Sequence, residues 1–548
     1  MKAPDNPVPS SCKTGHCGTP DLQPRPADPV QHPRAHVPLG ATAGRPTEHG
    51  RRAARNILWS GWGQISVAAA GIVWLFTVPR TLGPQYYGIF VLLSSLIDFH
   101  TMGCTLGIQN SFAYYFPLLR RRYPGELNRL TTAYGLVVLG LSLPAALLIA
   151  WLGTHLGGNL VTAALAGLTA LAALLQATNG VLAAIVYGEN RISVHAMRFP
   201  LQQAVTTAAV LAGAWWLGLK GSVAGLTIAV AVVLLWLVAV SRPWRYLALG
   251  PPSQGSNDDP PGHLLRTALL FGLYSLFGGL AALTITRGGN LILVGVGRTA
   301  EEVAVFAVGV GFVLQGVVLL SALGNALTPG LAGLISKGEP DRAHNWAERA
   351  AKYQVFAALA AVGFVAFVGE DLLNAAVGNR FPGVYTITMI GASALIPMAQ
   401  TNLSNQMAIA WGCPRVNMEA WVLMSVLFLS SAAISGALFG PVGAALALVG
   451  TAWVTSFAVN WRLRSSGGPG LWNWPVTKLL LIAAPGFAAT LLPGKFPLNL
   501  LFYAGFVAYL LIGSILTRTI ELAEVREIIN AIRHREPQAP AELPLGTS

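Results

Sequence analysis

The feature of this sequence that most constrains its fold is a series of apolar stretches separated by short polar segments. A helix of about 20 residues crosses the hydrocarbon core of a bilayer, because each residue adds about 1.5 Å. About fourteen stretches fit this length, and they lie at 57–78, 86–109, 131–152, 160–187, 199–218, 221–241, 265–287, 303–327, 351–370, 385–408, 417–438, 441–461, 475–492 and 497–517. The pattern predicts an all-α polytopic membrane protein with about fourteen transmembrane helices.

The composition excludes a soluble protein of the same length. Only 10% of the 548 residues are charged and 53% are hydrophobic, whereas an average soluble domain carries about 25% charged residues. So few charges cannot cover a water-exposed surface of this size. The net charge of +13 would suggest a nucleic-acid partner in a soluble protein, but the positions of the cations explain it better, and we expect no nucleic-acid binding.

The cations predict the orientation of the chain. If the N-terminus is cytoplasmic and the helices alternate, 24 of the 35 Lys and Arg residues fall on the inner side. Five more lie in the N-terminal tail, and the outer ends hold six: Arg80, Lys220, Arg287, Arg298, Arg380 and Lys495. This bias follows the positive-inside rule. It predicts a cytoplasmic N-terminus and a cytoplasmic C-terminus.

The sequence also contains an internal repeat. Gly218 and Gly221 match Gly440 and Gly443 at a separation of 222 residues, and Leu82-Gly83 matches Val296-Gly297 at 214. The segments 187–191 and 411–415 match at 224, and Phe116-Pro117 matches Thr328-Pro329 at 212. Chance placement of Gly and Pro is the alternative. Four ordered matches favour two six-helix halves of the same orientation, a plan typical of transporters with a substrate site between the repeats.

The repeat divides the chain into segments. We predict a disordered cytoplasmic tail at 1–50, a six-helix bundle at 51–245, a cytoplasmic linker at 246–264 and a second bundle at 265–465. Two additional helices follow at 466–518, and a cytoplasmic tail ends the chain at 519–548. The first tail is rich in Pro and His and almost free of aliphatic runs, so burial cannot offset its ordering entropy.

Several classes of chemistry have no support in the sequence. It contains no P-loop motif, no H-E-x-x-H and no nucleophile elbow, so we predict neither ATP hydrolysis nor another enzyme activity. The four cysteines, Cys12, Cys17, Cys104 and Cys413, form no disulfide framework. Cys12, His16 and Cys17 are close enough to bind a metal, but no second pair follows. We therefore expect neither a metal site nor a cofactor.

One carboxylate lies in the middle of a predicted span. Asp98 follows Tyr86 by twelve residues, which places it about 18 Å along the helix. Ser94, Asp98, Thr101, Thr105 and Gln109 have 4-3-4-4 spacing and would share one helix face. A charge at this depth must face protein or a wet cavity. The face either lines a cavity, with ion coupling through Asp98 as one form of that role, or hydrogen-bonds neighbouring helices.

Other polar residues extend the candidate cavity. They are Gln176 and Asn179 in helix four, Gln400 and Asn405 in helix ten, and the more isolated Gln64 and Gln315. Interhelical hydrogen bonds are the alternative for each. Arg80, Arg287 and Asn290 fall at the predicted outer ends of helices one and seven. The arginines would either hold an anionic diphosphate or anchor the helices at lipid headgroups.

Particular motifs resemble a known family. N-I-L-W-S-G-W-G-Q at 56–64 and P-R-T-L-G-P-Q-Y-Y-G-I-F at 79–90 are similar to the start of lipid-linked oligosaccharide flippases for O-antigen and exopolysaccharide, within the MATE-like MOP flippase superfamily. N-L-I-L-V-G-V-G at 290–297, K-G-E-P-D-R at 337–342 and G-P-V-G-A-A at 440–445 agree. The resemblance covers about 55–465, and L-G-x-x-x-Y-G-x-F favours polysaccharide flippases over MATE exporters. Asn290 stands where many members have an acid, and the Pro/His tail is not a family feature.

The resemblance implies a function and its partners. It implies a bacterial inner-membrane flippase that moves a polyprenyl-diphosphate-linked oligosaccharide for surface polysaccharide, alongside membrane lipids and the polymerase and export machinery. A MATE-like cation-coupled drug or metabolite exporter is one alternative. A polysaccharide polymerase or ligase is another, although the outer loops all have fewer than about 20 residues, and such an enzyme needs a larger one. A scaffold without transport is the third.

Overall fold

The computed structural model describes residues 48–122, 124–189, 191–246, 261–336, 339–411, 414–465, 467–491 and 497–521. Residues 1–47, which make up most of the predicted N-terminal tail and include Cys12, His16 and Cys17, lie outside these ranges. So do Cys413, most of the predicted linker and the C-terminal tail beyond 521. The predictions for these segments stay predictions.

The described ranges consist of helices and connecting loops, with no β-strand among them. The helices are α1 Glu48–Thr105, α2 Ile108–Arg122, α3 Pro124–Gly157, α4 Ala163–Gly188, α5 Ile192–Ser241, α6 Pro261–Leu283, α7 Gly289–Gly295, α8 Ala300–Ser336, α9 Pro340–Val377, α10 Val384–Ala392, α11 Leu395–Ala410, α12 Pro414–Ser465, α13 Trp474–Phe487 and α14 Leu498–Leu516. A π-helical turn at Thr284–Gly288 joins α6 to α7.

Within the described ranges, nine helical stretches are long and apolar enough to cross a membrane. This confirms the all-α polytopic membrane fold. The nine include three helices of about 50 residues or more: α1, α5 and α12. Each of these covers two of the predicted spans. The number of fourteen transmembrane helices stays a prediction.

Three glycines divide the long helices. Gly83 in α1, Gly218 in α5 and Gly440 in α12 have positive φ angles of 75°, 59° and 62°. Side chains with a Cβ rarely adopt this region, so glycine is required where the chain turns from one span to the next. Gly218 and Gly440 also have similar ψ angles, −132° and −142°. Their matching backbone supports the internal repeat at this position.

The helix pairs on either side of these turns pack at backbone distance. A Cβ added to Gly221 would lie 1.9 Å from the carbonyl oxygen of Gly213, and one added to Gly443 would lie 1.9 Å from that of Ser435. Each pair repeats at the 222-residue offset that the sequence indicates. The same close crossing therefore occurs in both halves.

Replacing Gly221 or Gly443 by alanine is expected to destabilise the protein by about 1–3 kcal/mol, because the methyl group would force two backbones apart. Gly450→Ala is the matched control, since a Cβ at Gly450 would have nothing within 4 Å. Thermal unfolding in detergent measures the effect. Equal melting temperatures for the three variants would contradict the close crossing.

Two predicted helices are interrupted. The stretch 86–109 breaks at Leu106 and Gly107, whose φ angles are 47° and 65°, and the hydroxyl of Tyr134 donates to the freed carbonyl of Leu106 at 2.9 Å. The stretch 385–408 breaks between α10 and α11. Pro397 lies in the first turn of α11 and has no N–H to donate to the carbonyl of Ser393, which explains this break.

The aromatic residues mark the two ends of the spans. Trp215 and Trp216 are 84% and 80% exposed and lie just before the Gly218 turn. Trp244 and Trp461 are exposed at the opposite ends of the helical segments that follow Gly218 and Gly440. Tryptophan is enriched at both membrane–water interfaces. The exposed aliphatic side chain of Leu235 lies between Trp216 and Trp244 along the chain, and such side chains need no protein cover in a bilayer.

The last two helices dock on α9. Phe506 of α14 packs over Gly363 of α9 and over Gly486 of α13, where an added Cβ would lie 2.3 Å and 2.9 Å from its ring. Lys352 of α9 is buried and its Nζ donates to the carbonyl of Thr519, just beyond α14, at 3.2 Å. A cation at the carbonyl end of a helix is favourable. The predicted additional helices are therefore attached to the second half.

Candidate functional site

An ion pair joins the two halves of the repeat inside the membrane spans. Nε of Arg287 lies 2.8 Å from Oδ2 of Asp98. Asp98 belongs to α1 and Arg287 to the π-helical turn after α6. The side chains are 34% and 42% exposed, respectively. Two charges thus neutralise each other within the spans while both keep one open side.

The π-helical turn explains the position of Arg287. The helix does not end near 287, as the sequence suggested, but continues through Thr284–Gly288 into α7 and ends at Gly295. Arg287 therefore lies about two turns, roughly 12 Å, before the helix end. The continuation places Arg287 within the apolar stretch Leu276–Gly295, eight residues before its end, whereas the predicted boundary at 287 placed it at the outer end. π-turns are frequent at functional sites.

A second polar contact runs parallel to the ion pair. Nδ2 of Asn290 donates to Oγ of Ser95 at 3.2 Å, and both residues are buried. Arg287 and Asn290 are three residues apart on one helix, and Ser95 and Asp98 are three apart on the other, so the pairs face each other along one line. We call these four residues the polar seam. Sequence reasoning missed Ser95, although its spacing from Asp98 was a usable signal.

Glycines in the segment from α6 to α7 allow it to pack closely against α1 and α8. A Cβ at Gly279 would lie 1.9 Å from the Cε of Met102, and one at Gly289 would lie 2.6 Å from the Phe306 ring. The Phe99 ring lies 4.0 Å from the Cβ position of Gly288. Small residues let helices approach closely in membranes. The segment 279–290 is thus held against α1 on one side and against α8 on another.

The predicted polar face does not continue past Thr105. The hydroxyl of Thr101 donates to the carbonyl of Ile97 in its own helix at 2.9 Å. Thr105 is buried against Gly180 of α4. The 4-3-4-4 spacing assumed an unbroken helix, and the break at Leu106–Gly107 places Gln109 on α2. The single face from Ser94 to Gln109 was therefore a wrong prediction.

The candidate amides of α4 and α11 differ in their contacts. Nδ2 of Asn179 donates to the carbonyl of Val230 at 3.2 Å and to Oε1 of Gln176 at 3.4 Å. Nε2 of Gln400 donates to the carbonyl of Ala351 at 3.1 Å. Asn405 is buried, and neither polar atom of its amide has a hydrogen-bond partner among the described residues. The structure does not bring these residues to the polar seam by any described contact.

The remaining candidates lie apart from the polar seam. Gln315 of α8 packs on Gly71 of α1, and its Oε1 is buried with no hydrogen-bond partner within the described ranges. Arg80 is exposed, and its Nη1 donates to the carbonyl of Ala375 at the end of α9, at 3.5 Å. The side chain of Gln64 lies outside the described part of the structure.

The halves also meet at the predicted outer ends of the helices. A Cβ on Gly88 of α1 would lie 1.8 Å from the carbonyl oxygen of Ala300, the first residue of α8. The Tyr87 ring packs edge-on against Phe381, with 6.4 Å between centroids. The two halves are therefore in contact at that end, with backbone against backbone at Gly88 and Ala300.

Solved structures with a similar fold include membrane transporters. The lipid II flippase MurJ, in an inward closed conformation, has a TM-score of 0.66 and 13% identity, and the match covers 86% of this chain and 100% of that chain. An inward-facing multidrug resistance MATE family transporter of the MOP superfamily has a TM-score of 0.57 and 16% identity, with coverage of 73% and 95%. At these identities the similarity is one of fold.

The sequence itself identifies a family. No curated protein matches the chain. A family model described as "Polysaccharide biosynthesis protein" matches residues 53–334. The match covers more than half of the 548 residues and includes Ser95, Asp98, Arg287 and Asn290. The chain belongs to this polysaccharide biosynthesis protein family.

Proposed function

We propose that this protein is a flippase that moves a polyprenyl-diphosphate-linked oligosaccharide across the bacterial cytoplasmic membrane by alternating access. Its product would serve surface polysaccharide synthesis: O-antigen, capsule or exopolysaccharide. Membership of the polysaccharide biosynthesis family and the fold shared with the lipid II flippase support this proposal. The observation that carries it is the Asp98–Arg287 ion pair between the halves.

The exposure of that ion pair supports a hydrated chamber. A charged side chain in hydrocarbon is costly, and both partners keep an open side. We infer that this side faces water between the bundles at 51–245 and 265–465. A substrate needs such a chamber, because each sugar hydroxyl left without a hydrogen bond in hydrocarbon costs several kcal/mol.

The substrate would engage Arg287 through its diphosphate. A guanidinium group matches phosphate oxygens with two parallel hydrogen bonds. Asp98 forms an ion pair with Arg287 when the chamber is empty. An arriving diphosphate would compete with the Asp98 carboxylate for the same guanidinium group. Release of Asp98 would loosen the polar seam and allow one bundle to rock against the other. The protein thus acts by binding and movement, without catalytic residues.

The distribution of cations and the family membership suggest how the protein is oriented in the membrane and where its substrate comes from. We propose that both termini are cytoplasmic, as the positive-inside bias indicates. The oligosaccharide would be assembled on the cytoplasmic leaflet and released for a polymerase and export machinery on the other side. The lipid tail would stay in the bilayer at the gap between the bundles.

Liposomes that contain the purified full-length protein test the proposal. A short fluorescent oligosaccharide on polyprenyl diphosphate is placed in both leaflets, and dithionite quenches the outer pool. We expect the protected inner pool to become accessible at least tenfold faster than in protein-free liposomes. An unchanged rate, together with efflux of cationic drugs driven by an ion gradient, would overturn the proposal in favour of an exporter like the MATE transporters that share the fold.

A further inference from the structure

A second polar cluster lies at the start of α5, and the proposed role of the polar seam does not use it. Nε2 of Gln109 on α2 lies 3.0 Å from Nε2 of His195 on α5. The Tyr187 ring of α4 packs against the His195 ring, with 4.7 Å between centroids. Three helices of the first half therefore converge on one imidazole.

Arg198 follows His195 by about one helical turn on α5 and has no ion-pair partner among the described residues. Its guanidinium lies 4.5 Å from the centroid of the Phe199 ring. Its Nε is buried and has no hydrogen-bond partner in the described part of the chain, and the same holds for Nδ1 of His195. No described carboxylate lies within ion-pair distance of Arg198, whereas Arg287, Arg342 and Arg415 each contact one.

The nearest carboxylate in sequence is already engaged. Glu189 accepts a hydrogen bond from the hydroxyl of Tyr246 and pairs with Nη1 of Arg191 at 3.5 Å. Burial, together with the hydrogen bond to Glu189, raises the pKa of Tyr246 to about 12. Tyr246 therefore stays protonated and keeps donating to Glu189. Nothing in the described structure of α4 or α5 supplies the missing negative charge.

The surroundings of Arg198 favour an anion. A partly buried cation without a counter-charge is costly. His195 and Arg198 lie in the first two turns of α5, which begins at Ile192, and the N-terminal end of a helix carries partial positive charge. Gln109 adds an amide that bonds an oxygen acceptor once it turns from His195. The combination of donors and charge fits a phosphate group.

We propose that Gln109, His195 and Arg198 form a phosphate site that receives the diphosphate of the lipid-linked substrate before that group reaches Arg287. The inference rests on the proposed function, and on the prediction that the start of α5 is cytoplasmic. The site belongs to the first half alone, whereas the polar seam joins both halves. The substrate would therefore be captured without breaking the Asp98–Arg287 pair.

Binding of undecaprenyl diphosphate without sugars tests this site. The full-length protein is placed in phosphatidylcholine nanodiscs, and native mass spectrometry follows the bound lipid. We expect Arg198→Gln to weaken binding at least tenfold and His195→Gln at least threefold. Arg191→Gln is the matched control, because Arg191 is exposed at the same helix end and its Nη1 donates to the carbonyl of Val240. It should change binding less than twofold.

Additional binding measurements distinguish a phosphate site from a general lipid contact. Undecaprenol, which lacks phosphate, should bind at least tenfold more weakly than the diphosphate to the wild type. Displacement of the diphosphate by an equal amount of phosphatidylglycerol would overturn the proposal, because the site would then be a general lipid contact. If Arg198→Gln does not fold, binding of the diphosphate is measured with Gln109→Leu and His195→Gln instead. Unchanged binding in both of these variants would also overturn the proposal.

The outcome for this site is distinct from that for the proposed function. If the wild type translocates the oligosaccharide and Arg198→Gln binds the diphosphate as tightly as the wild type, the phosphate site is wrong and the flippase stands. If the wild type neither binds the diphosphate nor translocates, both proposals fail. Far-UV circular dichroism and thermal unfolding confirm that each variant is folded.

Discussion

Arg287→Gln is expected to lower oligosaccharide translocation at least tenfold. The change leaves the carboxylate of Asp98 without its partner and removes the proposed diphosphate donor. Breaking a fully buried ion pair by losing one partner costs about 3–5 kcal/mol. The cost here should be smaller, because both side chains keep an open side. Translocation in liposomes and thermal unfolding in detergent measure the two effects separately.

The double variant separates stability from transport. Asp98→Asn combined with Arg287→Gln removes both charges, so we expect the melting temperature to recover towards that of the wild type. Translocation should stay at least tenfold lowered, because no guanidinium remains to bind the diphosphate. Recovery of translocation along with stability would contradict the role of Arg287 and leave the pair as a structural contact.

Asp98→Asn alone tests ion coupling. If Asp98 exchanges a proton or binds a cation during transport, the variant should lose any dependence on the ion gradient while staying folded. Arg415→Gln is the control for a lost ion pair. Arg415 is exposed and paired with Glu419 four residues along the same helix. Such surface pairs contribute about 0–1 kcal/mol, so stability and translocation should both change little.

Gly88→Leu is the substitution with the second largest expected effect. The side chain would enter the space of the Ala300 carbonyl, 1.8 Å from the Cβ position, and backbone atoms cannot turn aside as side chains do. We expect the predicted outer ends of α1 and α8 to separate and translocation to fall at least tenfold. The protein should be held in a form that is open at that end.

Spin labels at Gln85 and Glu301, both exposed near this contact, measure the separation by double electron–electron resonance. The distance distribution should shift to longer values in Gly88→Leu and stay unchanged in Gly103→Leu, because a Cβ on Gly103 would have nothing within 4 Å. A wild-type distribution in Gly88→Leu would show that the closure at this end does not depend on the backbone contact.

The helices could be predicted because their cause is local. An apolar stretch of about 20 residues satisfies its backbone in hydrocarbon only by forming a helix. The turns at Gly218 and Gly440 followed from the repeat, because only glycine adopts that conformation readily. The interruption at Leu106 frees a carbonyl that accepts a hydrogen bond from the Tyr134 hydroxyl, which lies on another helix. A contact of that kind has no sequence signature.

The polar seam was only partly predictable. Asp98, Arg287 and Asn290 could be selected as candidates because charged and amide groups are costly in a span. To predict their pairing, one would need to know how two helices almost 190 residues apart align with each other. One would also need the π-helical turn, which no local motif indicates. Asn405 and Gln400 carried the same polar signal but lie in helix packing. Polarity selects candidates, and only tertiary contacts assign them.

The π-helical turn at Thr284–Gly288 has a consequence for how the halves can part. A π-turn holds one residue more than an α-turn, so its conversion to α-helix would swivel the flanking segments by about 100° relative to each other. Asn290 and Arg287 would then no longer face Ser95 and Asp98 together. A change of winding at these five residues would therefore part the polar seam between the two bundles.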